Sequence, residues 1–253
     1  NTLSAVKKAN GGSLKNYKVI YSNLYSKDIA NLKAFWAKRG FKPVFKSVTD
    51  EEAFMAQGDL VASENSPRVR EILDFMMLWS DNLLADRLAG LAARAAGYSP
   101  NIKGIDTIFR TLLAQFEIDD SKLVVVDASG LSKKNKITAK LMGELLYKIR
   151  KDDKYALLYN SLPVGGVSGT LQNRFTTTAP SAVGLVRAKT GTLNGTATLA
   201  GYVQSTDREY VFVTLADDIA KGNAALNKAR AAIDRVIGRI AAPNIPAEIS
   251  PAP

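Results

Sequence analysis

Val69, Ile72, Leu73, Met76 and Met77 recur at intervals of three and four, the period that makes one face of a helix apolar. Ser66 stands where a cap is needed and Pro67 at the first helical position, so this helix is expected to bury its apolar face and to deliver Ser80 at its end. A second helix is expected over residues 83–96, stopped by Gly97. Ile105, Ile108, Phe109, Leu112, Leu113 and Phe116 mark a third. Leu141, Met142, Leu145, Leu146 and Ile149 mark a fourth, with Thr138 in capping position. Between these two, Leu123-Val124-Val125-Val126 reads as a strand buried on both faces or a connector within a core. A short helical stretch over residues 155–159 ends ahead of Pro163.

From Gly184 the period changes to two. Residues 185–189, 196–203 and 210–215 are expected as strands, with turns at 191–195 and 205–208. Short links between consecutive strands imply an antiparallel meander. The apolar side of a helix over residues 223–240, carrying Leu226, Ile233 and Ile237, suits the cover of that sheet. The pattern is weaker at the start. Residues 17–21 alternate like a strand, residues 30–38 suggest a short helix closed by Gly40, and residues 41–61 read as irregular or strand-like. Three parts are expected: residues 1–26, the end of an insert or of upstream sequence; residues 27–241, the main domain; and residues 242–253, an extended tail holding four of the nine prolines. The class is α/β, an antiparallel sheet flanked by helices with a helical subdomain ahead of it.

Composition narrows the chemistry more than it narrows the fold. The 253 residues include no histidine and no cysteine, which excludes a Ser-His-Asp triad, a thiol nucleophile and thiolate metal sites. A catalytic base must then be Lys, a carboxylate or Tyr. The net charge of +10 suits encounter with anionic wall polymer or a membrane surface. Because the basic residues are spread instead of forming blocks, and are not interleaved with aromatics, nucleic acid is not an expected partner.

Two short motifs stand out, Ser80-Asp81-Asn82 at the break between two helices and Lys189-Thr190-Gly191 at the end of an expected strand. Read blandly, Ser80 and Asn82 cap a helix and Lys189 is a solvated charge. Read chemically, the strand offers backbone groups to an extended peptide and Gly191 keeps the approach open. Periodicity leaves both readings standing.

The surrounding text adds a third consideration. The stretch from Ser66-Pro67 to Trp79-Ser80-Asp81-Asn82-Leu83-Leu84-Ala85-Asp86 is followed by Val126-Asp127-Ala128-Ser129-Gly130-Leu131-Ser132-Lys133-Lys134-Asn135. Then come Leu162-Pro163-Val164-Gly165-Gly166-Val167-Ser168-Gly169-Thr170-Leu171 with Arg174-Phe175, and Arg187-Ala188-Lys189-Thr190-Gly191-Thr192-Leu193 with Leu199-Ala200-Gly201-Tyr202. In this order the passages resemble the low-molecular-mass, class C penicillin-binding proteins, serine-type D-alanyl-D-alanine carboxypeptidases and endopeptidases, from about residue 30 to residue 215. Ala128 departs from the Gly usual in the second passage.

The resemblance implies the penicillin-recognising serine transpeptidase/β-lactamase-like fold and action on peptidoglycan stem peptides through an acyl-enzyme, with β-lactam antibiotics as mimics. It implies no cofactor or metal, and export to the periplasm or the outer, wall-facing side of the cell. Ser80 would relay a proton to the leaving amine, and Asn82 would donate to a substrate carbonyl. Lys189 and Thr190 would orient the terminal carboxylate, with Gly191 beside them, and the backbone N–H of Thr192 would serve the oxyanion. Asp127 and Ser129 would be scaffold. The motif missing from a convincing position is Ser-x-x-Lys: Ser4-Ala5-Val6-Lys7 matches it, but a turn at Asn10-Gly11-Gly12 follows almost at once. The nucleophile is therefore expected in sequence before residue 1. The alternatives are a catalytically silent module using the same cleft to bind wall peptides or a partner, and a β-lactamase or esterase.

Overall fold

Eight residues, Thr2–Ala9, form helix α1, which ends in a turn where Gly11 and Gly12 take positive φ. The computed structural model describes residues 2–15, 17–22, 26–56 and 65–243, which fall in two units, residues 1–66 and 67–253. In the first, strand β1 (Lys18–Tyr21) leads through helix α2 (Ser26–Ala37) to strand β2 (Val44–Ser47), which pairs parallel to β1. A parallel pair needs a crossover, and α2 supplies it. Trp36 of α2 stacks on Phe41 and Phe45 with ring centroids 5.1 and 5.8 Å apart, and Phe41 is buried. Residues 18–21 are thus tied to residues 44–47, well past the boundary expected at residue 26. Helix α3 (Asp50–Met55) lies in a segment expected to be irregular. Its signal is the Thr49/Glu52 capping box, in which Glu52 N–H donates to Thr49 Oγ1 at 3.1 Å and Thr49 N–H to Glu52 at 2.9 Å.

The second unit begins with helix α4 (Val69–Trp79) and helix α5 (Asn82–Ala95). The start of α4 differs from expectation: Arg68, not Ser66, is the cap residue, because the Glu71 carboxylate reaches back to accept from Arg68 N–H at 2.9 Å. The apolar stripe of α4 is only partly covered, with Val69 64% exposed; the helix packs on α5 and on the tight turn Gly169–Leu171. Helix α6 (Ile102–Gln115) and helix α7 (Ala139–Lys151) stand where the period placed them, and Thr138 Oγ1 accepts from Leu141 N–H at 3.1 Å. Residues 123–126 are not a buried strand. Val124 makes a single bridge to Lys136, and Val124 and Val126 are exposed, because among the described residues no neighbouring strand covers them.

Helix α8 (Ala156–Asn160) leads to the partly buried loop 161–171, and then to strands β3 (Val186–Leu193), β4 (Thr196–Gln204) and β5 (Glu209–Ala216), paired antiparallel in that order. Helix α9 (Asn223–Ala241) closes one face of the sheet. Leu226, Ile233 and Ile237 meet Val186, Ala188, Leu199 and Val203 there in the main core, while α7 packs on β4 and β5. Removing these apolar faces from water is the chief driving force for the assembly. Position of α9 is fixed by Arg174, whose guanidinium donates to the buried Asp234 carboxylate at 2.5–3.0 Å, with Thr178 Oγ1 donating to the same acid at 3.0 Å. No described helix is long and apolar enough to cross a membrane. The expected tail falls, from residue 244 on, outside the described residues.

Candidate active site

The Ser-Asp-Asn tripeptide divides three jobs among its residues. Ser80 closes α4 in the left-handed conformation, φ 58° and ψ 49°, which is costly for a residue with a Cβ. Asp81 caps α5, its carboxylate accepting from Leu84 N–H at 2.9 Å. Asn82 is the first residue of α5 and is exposed. The bland reading holds for Ser80, whose backbone is the C-cap of α4, and not for Asn82, because Asp81 is the side-chain cap of α5. The hydroxyl of Ser80 is left for another partner.

That partner is Lys189, 109 residues along the chain, whose Nζ donates to Ser80 Oγ at 2.6 Å and to the carbonyl oxygen of Thr190 at 3.1 Å. Among the described residues, Lys189 forms no ion pair. Burial pushes its ammonium below the ordinary lysine range, as expected for a cation removed from water without a counter-charge. The approach of α4 to the sheet depends on the loop 161–171. Gly169, at φ +54°, sits so close to the Leu78 carbonyl that a Cβ there would collide with it. Ser161 Oγ donates to Asp74 and to Leu157 O, tying α8 to α4.

Strand β3 is longer than the pattern predicted, so Lys189-Thr190-Gly191 lies within the strand and the turn is at Asn194-Gly195. Its outer edge has two halves. Ala188 N–H donates to Pro163 O at 3.0 Å and Val186 O accepts from Gly165 N–H at 2.9 Å, so the loop covers the edge there. Strand alternation directs the backbone groups of Thr190 and Thr192 to the same edge, where among the described residues no backbone partner meets them. Thr190 Oγ1 lies 2.9 Å from Thr170 Oγ1, and Thr192 Oγ1 accepts from Arg230 Nη2 at 3.1 Å. Gly191 is required by its cross-strand neighbour: Thr198 Oγ1 occupies the space of a Cβ. A ligand lying along this edge would meet backbone groups that no other backbone segment among the described residues covers, two hydroxyls and a cation.

Asp127 builds the neighbouring loop. Its carboxylate accepts from Gly130 N–H at 2.6 Å, Ser132 N–H at 2.7 Å, Asn135 Nδ2 at 2.8 Å and Ser129 Oγ at 3.2 Å. Burial pushes this carboxyl up, but the bonds from Asn135, Ser132, Gly130 and Ser129 outweigh it and hold it below the usual range. Asp86 Oδ1 accepts from the N–H groups of Ala128 and Ser129, both at 2.9 Å, fastening the loop to α5. Lys133 Nζ reaches the Asn194 carbonyl at 2.5 Å, joining the loop to the β3–β4 turn.

The structure thus brings together Ser80, Lys189 and Thr190, with Gly191 and Thr192 further along the same edge. Thr170 and Arg230 were not singled out by sequence reasoning. Thr170 lay in a quoted passage without a role, and Arg230 shows only as one basic position on an amphipathic helix. Ser4 and Lys7 lie one turn apart on α1, in the other unit.

An antiparallel sheet covered by a C-terminal helix, with a helix-junction serine facing a lysine in the edge strand, defines the fold of a penicillin-binding protein. Penicillin binding protein 4 (dacB) from Haemophilus influenzae, complexed with a novel β-lactam, has this fold: TM-score 0.70, 26% identity, covering 83% of this chain and 49% of that one. Residues 19–240 match the D-Ala-D-Ala carboxypeptidase 3 (S13) family, and the chain belongs to it. It is 38% identical over 188 residues to Carboxypeptidase DacB of Mycolicibacterium smegmatis, covering 73% of this chain and 40% of that protein. Against D-alanyl-D-alanine carboxypeptidase DacB of H. influenzae it is 32% identical over 169 residues, covering 66% and 35%. The chain therefore spans less than half the length of these relatives.

Proposed function

We propose that this chain supplies the Ser80–Asn82–Lys189 side of a serine-type D-Ala-D-Ala carboxypeptidase or endopeptidase cleft, acting on peptidoglycan stem peptides and acylated by β-lactams. The observation that carries the reading is the 2.6 Å contact from Lys189 Nζ to Ser80 Oγ. Because Ser80 Oγ accepts from the ammonium, its own hydrogen is free to pass to a leaving nitrogen. In the reaction, a serine oxygen attacks the penultimate D-Ala carbonyl, the C–N bond breaks and Ser80 hands its hydrogen to the departing amine, the proton given up by the attacking serine passing to Ser80 Oγ in its place. Water then hydrolyses the ester. Lys189 and the Thr190 hydroxyl orient the terminal carboxylate, Asn82 donates to a substrate carbonyl, and the Thr192 N–H, on the open edge, faces the developing oxyanion. A substrate of this class places the protein outside the cytoplasmic membrane, in the periplasm or at the wall, where its positive charge favours contact with anionic wall polymer.

A second reading, a silent module that binds wall peptides in the same cleft, draws on one observation. The chain's Ser-x-x-Lys, Ser4 to Lys7, lies on an eight-residue helix in the unit that does not contain Ser80. The test is the intact mass of the native protein after excess benzylpenicillin, with the acylated serine mapped by peptide digestion. A penicilloyl adduct, formed at least about 100-fold more slowly in Lys189→Met, is the expected result. Loss of the adduct in Ser4→Ala would assign Ser4 as nucleophile. No adduct in the native protein would overturn the hydrolase and leave the binding module.

A further inference from the structure

The positive charge of this chain is unevenly shared between its two units. Ten of the 34 basic residues but one of the 24 acidic residues fall within residues 1–49, and the 24 basic and 23 acidic residues that follow nearly cancel. Almost all of the net charge of +10 therefore belongs to the first unit, although no run of adjacent basic residues marks it in the sequence.

The parallel pair β1–β2 gives part of this charge a surface. Its register sets Lys18 opposite Val44 and Ile20 opposite Lys46, and strand alternation puts these four on one side of the sheet. Val19, Tyr21 and Phe45 take the other side, where the Phe45 ring meets Trp36 of α2. All four outward residues are exposed, Ile20 at 41% and Val44 at 67%. Lys15 and Lys42, just ahead of the two strands, are exposed as well, and parallel strands begin at the same end of the pair. Among the described residues, none of these four lysines forms an ion pair. Glu52 feels the charge of Lys46, but its carboxylate is already engaged by Thr49 N–H at 2.9 Å.

A face that alternates lysine with aliphatic side chains suits a particular kind of partner. A second copy of this chain would bring the same positive charge and be repelled. A single-stranded nucleic acid stacks on exposed aromatics, and the outward positions here are aliphatic. A soluble polyanion needs the lysines alone and gives Ile20 and Val44 nothing to do. An anionic bilayer uses both: ammonium groups reach the lipid phosphates while the aliphatic side chains enter the boundary between headgroups and acyl chains. We propose that the Lys18, Ile20, Val44, Lys46 face of β1–β2, flanked by Lys15 and Lys42, docks the protein on an anionic phospholipid surface. The proposal is independent of the cleft reading, since its residues all belong to the unit that contains neither Ser80 nor Lys189.

Sedimentation of the native protein with unilamellar vesicles of phosphatidylcholine, with and without about one-third phosphatidylglycerol, tests this. The protein is expected on the anionic vesicles and not on the neutral ones, and raised salt should release it. Lys18→Gln and Lys46→Gln should each lower the partition coefficient about fivefold. Ile20→Ser with Val44→Ser, which changes no charge, should lower it about tenfold. Lys148→Gln with Lys151→Gln, removing two charges from α7 in the other unit, should leave it within about twofold. Absence of the native protein from the anionic vesicles would overturn the proposal. An equal loss in the Lys148/Lys151 and Lys18/Lys46 double variants would also overturn it, leaving net charge as the cause. Binding that ignores the two serine substitutions, and that soluble poly(glycerol phosphate) displaces, would replace the bilayer with an anionic polymer.

Discussion

Asp127 and Lys189 each carry a charge in partly buried surroundings, and the chain treats them in opposite ways. Around Asp127 four donors converge, and the balance of burial against those bonds holds its carboxyl below the usual range, so the charged form is the favoured one. Around Lys189 there are two neutral oxygens and, among the described residues, no ion pair, and burial pushes its ammonium down, so the charged form is less favoured than in water. Arg174 with Asp234 belongs with Asp127: a buried acid met by a guanidinium and a threonine hydroxyl. The contrast separates charges that stabilise the fold from one held in readiness for a ligand.

Removing a compensated charge should do the most damage. Asp234→Ala leaves the Arg174 guanidinium without its acid beneath α9 and should cost about 3–5 kcal/mol, read as a shift of the urea midpoint. Asp127→Ala strips four donors of their acceptor and should cost about 2–3 kcal/mol. Its pH signature has a definite sign. Since the folded carboxyl is held below its unfolded value, its contribution is fully present above about pH 4 and is lost as pH falls through the folded value, so Asp127→Asn should flatten the acid limb of a stability–pH curve.

Lys189→Met should behave in the reverse sense. With the folded ammonium depressed below its unfolded value, the lysine imposes a penalty at neutral pH that fades only as pH rises towards about 10.4. Its replacement should leave stability unchanged or raise it by up to about 1 kcal/mol, while peptide binding is lost. A fall of more than about 2 kcal/mol would place Lys189 among the structural charges and break the comparison. The smallest effect concerns Gly191. Gly191→Ala should cost about 1 kcal/mol through its clash with Thr198 Oγ1, and Thr198→Ala in the same chain should recover it.

Much of this unit was legible in advance because its cues are local. The 3.6 period and Thr138 located α7, and the switch to alternation located β4 and β5. The errors arose where distant partners decide. Leu123 to Val126 has strand composition, yet among the described residues no strand lies beside it, and Val124 and Val126 stay exposed. Strand β3 continues past Gly191 because eight successive residue pairs with β4 carry it to Leu193, a cross-strand fact that Gly191 by itself disguised as a turn. In the site, Ser80 and Lys189 could be named from their motifs, but their contact across 109 residues could not be read from spacing. Arg230 showed only as one basic position on a helix, since its contact with Thr192 depends on where α9 crosses β3. The α3 helix was different: Thr49 and Glu52 spelled its cap.

Lys189 is a half-buried cation that, among the described residues, forms no ion pair until an anionic ligand arrives. The most direct test is the NMR titration of its side chain in 13Cε-lysine-labelled protein, assigned with Lys189→Met, before and after addition of diacetyl-L-Lys-D-Ala-D-Ala. The expected result is a titration below the ordinary lysine range without peptide and a shift upward when the carboxylate binds. An ordinary titration in the free protein, or one that the peptide leaves unmoved, would contradict it.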